Sequence, residues 1–194
     1  TEQLSATTTA QIPFLSLSKA PALLQLISTN SLRQLNTQQI RSISTSAFSS
    51  LSTEQISALT STQLLSLSSS QVKVLSSNQI VALNTDQIGG LSLDSVAALS
   101  PSQISAIETA DLIRLTTAQI KALSTDGIAA LTTSQFASLT SAQVRGLSPI
   151  QISSISNQQV IAISTVALTN ISTLQLVALT SNDIVALTTD QFSS

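Results

Sequence analysis

Every eighth residue from Leu24 to Phe192 is apolar, 22 positions without an exception, and only a structure built from eight-residue units can use that spacing. The series runs Leu24, Leu32, Ile40, Phe48, Ile56 and on to Leu176, Ile184 and Phe192. A second series lies three residues later, from Ile27 and Leu35 to Leu179 and Leu187, and holds only Leu and Ile. The residue after each member of this second series is Ser, Thr or Asn, except at Glu108. Three places further on stands Gln in about two thirds of the octads, as in LSTEQISAL from Leu51.

Ser or Thr followed three residues later by Gln and then an apolar residue is the capping box that opens a helix. The spacing predicts reciprocal caps at Ser52 with Gln55, Ser100 with Gln103, and Thr116 with Gln119. Proline agrees, because Pro21, Pro101 and Pro149 follow the cap position directly, where a helix has no use for an N–H. Charges agree too: Glu54, Asp86, Asp94, Asp126 and Asp190 fall in the first turn, and Arg33, Arg41, Lys73, Lys121 and Arg145 fall later, as the helix dipole favours.

One continuous helix is excluded by geometry. Eight residues at about 100° each carry the apolar stripe about 80° past two full turns, so no single face would stay apolar. The chain is expected to break at each cap, giving helices of about two turns with almost no loop. Helices below ~12 residues are marginal alone, so stability must come from neighbouring units. The expected fold class is therefore all-α, a solenoid of very short capped helices, one per octad. Its inner seam would contain Ile56, Leu59, Ile80, Leu83, Ile104, Ile107, Ile120, Leu123, Ile184 and Leu187. The residue between the two series is small in most octads (Ala58, Gly90, Ala122, Gly146), which would let backbones approach. A β-solenoid is the alternative, suggested by abundant Thr, Ser, Ile and Val and by ladders of Gln. Against it, apolar residues three apart point to opposite faces of a strand.

Residues 1–23 follow the pattern in a frame offset by four, with Pro13, Phe14 and Pro21 among them. They are read as a distinct N-terminal segment, a cap for the array or an extension that docks elsewhere, with residues 24–194 forming the solenoid. The array runs to Phe192 without a polar capping unit, and its end is expected to stack on another molecule or on further octads of a longer chain.

Only 8% of residues are charged and the net charge is −2, which leaves no clustered Lys and Arg for a nucleic-acid partner. No apolar run is long enough to span a membrane. Cys and His are absent, and with them the usual nucleophile, general base and soft metal ligands. Lys73 beside Ser68–Ser70 reads as a solvated charge, and the single Gly pair, Gly89–Gly90, makes no phosphate loop. The chain is expected to be no enzyme, with no catalytic residue, no metal, no cofactor and no small-molecule substrate.

The stretch LTTAQIKALSTDGIAALTTSQF, Leu115 to Phe136, resembles repeats of very large bacterial surface and secreted proteins, a family often labelled haem utilisation or adhesion proteins. The resemblance covers nearly the whole chain and implies a secreted or cell-surface bacterial protein. Axial haem ligands of the usual kinds, His, Met, Cys and Tyr, are all missing. LSPSQISAI, Leu99 to Ile107, is similar to the first helix of the DNA-reading repeats of plant-pathogen effectors, but their longer repeat is absent. Three functions follow in order: a self-associating subunit of an extracellular fibre or matrix, a passive spacer in a giant surface adhesin, and a protein-interaction scaffold. A short reading frame ending near Ser194 favours the first and a very long one the second.

The capping argument has a direct check. Replacing Ser124, Thr132 and Thr140 together by Ala should cost roughly 1 kcal/mol per site, read as a lowered midpoint in urea denaturation; an unchanged midpoint would contradict the caps.

Overall fold

The computed structural model describes residues 24–193, and the reading of residues 1–23 as a separate segment falls outside them. The described residues form 21 helices and no strand. The fold is an all-α solenoid, and the β alternative does not apply. Each helix has four to six residues, which is shorter than the two turns expected. The reason lies at the joints. Where a helix runs to six residues, as at Thr117–Ala122, both the following Leu123 (φ −59°, ψ 142°) and the next cap Ser124 (φ −66°, ψ 161°) are extended. Two of every eight residues are thus spent turning the chain.

The same bonds recur in each octad. The cap carbonyl accepts the first helical N–H, as Ser52 O does from Ile56 N at 3.0 Å, and the seam Leu59 N donates to Ile56 O at 3.1 Å, closing the helix with a tight final turn. No described residue has positive φ, so no helix ends in the left-handed glycine common at helix C-termini. That is why a chain of so many helices needs only four glycines.

The chain divides into two units, Thr1–Ala98 and Leu99–Ser194. In the first, the described helices run from α1 (Thr29–Arg33), α2 (Thr37–Ser42), α3 (Thr45–Ser49) and α4 (Thr53–Ser57) to α9 (Leu93–Ala97). Packing follows one rule: α1 lies against α4, and each later helix against the one three ahead of it. The second unit runs from α10 (Pro101–Ala106) to α21 (Thr189–Phe192) and obeys the same rule, with α12 (Thr117–Ala122) on α15 (Ser141–Gly146) and α16 (Pro149–Ile152) on α19 (Thr173–Ala178). Within each unit the octads therefore wind into coils of between three and four helices.

Both apolar series point into the seam between coils. In the first unit Leu32, Ile40, Phe48, Ile56 and Leu64 are fully buried, with Leu35, Ile43, Leu51 and Leu59 beside them. In the second unit the burial is as complete from Leu99 to Ile163 and then fails: Leu176 is 48% and Phe192 64% exposed, while Leu168, Ile171, Ile184 and Leu187 are half-buried.

Small residues let the coils close. A Cβ on Gly146 would clash with Thr117 Cγ2, and one on Gly90 would meet Ser61 Cβ at 3.2 Å, in each case a residue one coil earlier. Gly146→Ala should therefore destabilise the protein by about 1 kcal/mol, the overpacking outweighing the better helix propensity of Ala. Adding Thr117→Ser, which removes the opposing methyl, should restore the melting temperature; additive losses in this double-mutant cycle would contradict the contact.

Candidate functional site

The recurrent polar feature of the seam is the glutamine at the third position of the helix. In α4 the Ser52 side chain accepts from Gln55 N at 3.2 Å, and Gln55 Oε1 accepts from Ser52 N at 2.9 Å. Twenty of the 21 described helices have a side-chain cap of the first kind, the exception being the one headed by Glu108. Ser100 with Gln103 and Thr116 with Gln119 form the same reciprocal box as Ser52 with Gln55.

The other end of the amide has a different task. Gln55 Nε2 donates to Leu24 O at 3.0 Å and Ile27 O at 2.9 Å, 31 and 28 residues earlier. Gln63 does the same to Leu32 O and Leu35 O, and Gln71 to Ile40 O and Ile43 O. In the second unit Gln135 reaches Ile104 O (3.0 Å) and Ile107 O (2.6 Å), Gln159 reaches Ile128 O and Leu131 O, and Gln175 reaches Val144 O and Leu147 O. The acceptors are the closing carbonyls of a helix one coil back: Leu24 O and its equivalents also accept from the N–H that closes their own helix, whereas the seam carbonyls such as Ile27 O lie past its last N–H. One side chain thus caps the start of its own helix and the end of another.

These glutamines are buried, Gln55 to 5% exposure and Gln135 to 3%, and no buried side-chain nitrogen or oxygen among the described residues lacks a partner. The capping half was readable in the sequence; the bond between coils was not. Its signal was the residue type: a capping box accepts Glu or Gln, yet this position holds Gln in about two thirds of the octads, Ser, Ala, Gly or Asp in the others, and no Glu. A carboxylate can cap, but it has no donor for the coil before. The Asp183 carboxylate shows this, accepting from Thr180 N and Thr180 Oγ1 with no proton to donate to the coil before. Ser95 keeps a shortened version, accepting from Ser92 Oγ and donating to Leu67 O at 3.3 Å.

Of the seam residues named from sequence, Ile56, Leu59, Ile80, Leu83, Ile104, Ile107, Ile120 and Leu123 are each at most 3% exposed. Ile184 and Leu187 are only half-buried, in a coil that no further helix among the described residues covers. With Leu168, Ile171, Leu176 and Phe192 they line an open apolar cleft of about 410 Å³. Two smaller grooves in the first unit are polar and related by one octad, one holding Arg33 and Asp86 and the other Arg41 and Asp94. Among the described residues no three His, Cys, Asp or Glu side chains are grouped to hold a metal ion, and no helix is long and apolar enough to cross a membrane.

Residues 24–61, in the first unit, and 104–141, in the second, match the family model described as the ALTTAQ repeat. These stretches are similar to that repeat. The motif falls on the joint rather than the helix: in Leu131–Gln135 the matched stretch places the seam Leu131, the cap Thr132 and the bridging Gln135 in succession. The motif therefore coincides with the residues that end one helix, start the next and tie the coils together. No curated protein matches the chain.

Gln135→Glu isolates the donor half. It keeps the cap but turns a carboxylate towards Ile104 O and Ile107 O, and should cost roughly 3 kcal/mol at neutral pH. Only the protonated form can donate there, so the folded-state pKa of the new group is raised and stability should return as pH falls through it. Glu54 has the opposite sign: its own backbone N–H first, then the Ser52 and Thr53 side chains, lower its pKa, so its contribution is lost as pH falls through that depressed value. Melting Gln135→Glu across the carboxylate range measures this, and stability that does not recover in acid contradicts the bridge. Conversely, Asp183→Gln should gain about 1 kcal/mol.

Proposed function

We propose that the chain is a structural, non-catalytic subunit of an extracellular bacterial fibre or matrix, assembling with copies of itself and needing no cofactor, nucleic acid or small-molecule substrate. The observation that carries this reading is the open last coil, where the same aliphatic series that is buried everywhere earlier in the second unit becomes accessible. A large exposed apolar surface on a soluble protein marks an interaction site. Here its register is that of the octad itself, so material of the same repeat has the matching shape. The bonding pattern of each coil is the same as that of the one before, which suits extension rather than recognition of a varied ligand.

A passive spacer within a giant surface adhesin is the second reading. The same open coil favours it, since further octads of a longer chain would fill it without any second molecule. Secretion or a cell-surface location belongs to both readings and rests on the resemblance of Leu115–Phe136 to large bacterial surface proteins.

Cryo-electron microscopy of the purified chain at neutral pH separates the two. Long uniform fibres with rungs of short helices are expected from the subunit; discrete particles at every concentration would contradict it and favour the spacer.

A further inference from the structure

We propose that Asp183 and the carbonyls of Ile152 and Ile155 form a site for a hard cation, Ca²⁺ in preference to Mg²⁺, at the place where other coils hold a glutamine amide. The site lies inside the second unit, between coils whose residues are all described, and it does not depend on how the chain assembles.

Register brings the three groups together. One octad before Asp183, Gln175 Nε2 donates to Val144 O at 2.9 Å and Leu147 O at 2.8 Å; one octad after it, Gln191 Nε2 donates to Val160 O at 3.1 Å and Ile163 O at 2.8 Å. Both pairs of acceptors lie 31 and 28 residues back, so the carbonyls opposite Asp183 are those of Ile152 and Ile155. Packing agrees, with α19 on α16 and α20 (Ser181–Ala186) on α17 (Asn157–Ala162). Asp183 also enters its helix as the glutamines do: Oδ2 accepts from Thr180 N at 2.8 Å, just as Gln175 Oε1 accepts from Ser172 N at 2.8 Å. With Oδ2 held on the cap, the planar carboxylate turns Oδ1 to the side where the amide carries Nε2.

The groups gathered there are all acceptors. Asp183 is 3% exposed, Ile152 1% and Ile155 6%. Oδ1, which keeps part of that small exposure, accepts no hydrogen bond, and no N–H or O–H donates to Ile155 O. A carboxylate buried to this degree has to be paired or to hold a metal. Asp183 has no ion-pair partner, and no Lys or Arg follows Arg145 in the sequence. Glutamine answers the carbonyls with two N–H bonds; aspartate ends one methylene short of that position and brings a negative charge instead. A carboxylate and two carbonyls are hard oxygen donors of the kind Ca²⁺ takes, at about 2.3–2.6 Å, with water completing its shell. Mg²⁺ demands a near-ideal octahedron and sheds water reluctantly, which carbonyls spaced for an amide do not accommodate. The expectation of no metal followed from the missing Cys and His, and an oxygen-only site needs neither.

The test is an NMR titration of the full chain with CaCl₂, following the ¹³C shifts of Asp183 Cγ and of the Ile152 and Ile155 carbonyls. MgCl₂ and NaCl at matched ionic strength run beside it, as does Asp183→Gln, which restores the amide. The expected result is a saturable shift at all three carbons with CaCl₂, half complete near ~1 mM, weaker with MgCl₂ and absent with NaCl. In Asp183→Gln the two carbonyls should not respond. Shifts that fail to saturate, or that persist in the variant, would overturn the site, and an equal response to MgCl₂ would overturn the choice of ion. Melting gives an independent readout: CaCl₂ should raise the midpoint of the wild type, by binding the folded state alone, and leave that of Asp183→Gln where it was. Equal midpoint shifts in the two proteins, or none in the wild type, would overturn the proposal.

Discussion

The solenoid depends on a single amide used at both ends. A helix of five residues leaves more of its N–H and C=O groups unpaired than it pairs, and Gln Oε1 and Nε2 answer one end of each of two helices, the first local and the second one coil away. Burying the aliphatic series alone would leave the seam carbonyls, Ile27 O and its equivalents, without a donor, at a cost of ~1–3 kcal/mol each. The glutamine removes that penalty at the place where two coils touch. Where the glutamine stands, local structure and coil packing are therefore secured by the same residue.

This coupling explains the composition. The joint uses two extended residues in place of a left-handed glycine, so Ser and Thr accumulate where helices begin and Gly stays rare. The coil approaches closely enough that Gly146 packs on Thr117 and Gly90 on Ser61, which favours small residues between the two apolar series. Where the glutamine is replaced, the neighbourhood changes with it. At Gly127 the space beside the backbone is taken by Ile104 Cδ1 from the coil before, and apolar contact stands in for the amide.

Much of this was legible in the sequence. The octad, the caps, the helix starts at Pro101 and Pro149, and the inward face of Ile56 and Leu59 all follow from local rules acting over eight residues. The coil did not follow, because its period is set by how two extended joint residues rotate one helix on the next, and nothing in an eight-residue spacing states that angle. The helices were also expected to be longer, since Leu123 and its equivalents read as helical until their ψ is known to be extended. The role of Gln Nε2 lay between: the absence of Glu at that register was visible, but its cause is a carbonyl about 30 residues away. Ile184 and Leu187 match the seam in sequence and differ from it only through what fails to cover them.

A repeat whose motif describes its joints makes one contact over and over from coil to coil. Its stability is a sum of like contacts between neighbours. The central claim, that the glutamine amide is a bridge between coils, is tested most directly by hydrogen exchange of the side-chain amides by NMR. Gln135 and Gln159, which donate to carbonyls in the seam, should exchange their Nε2 protons far more slowly than Gln38 and Gln158, which are exposed on the surface. Equal exchange at all four would mean that the amides face water, and the account of how these coils hold together would be wrong.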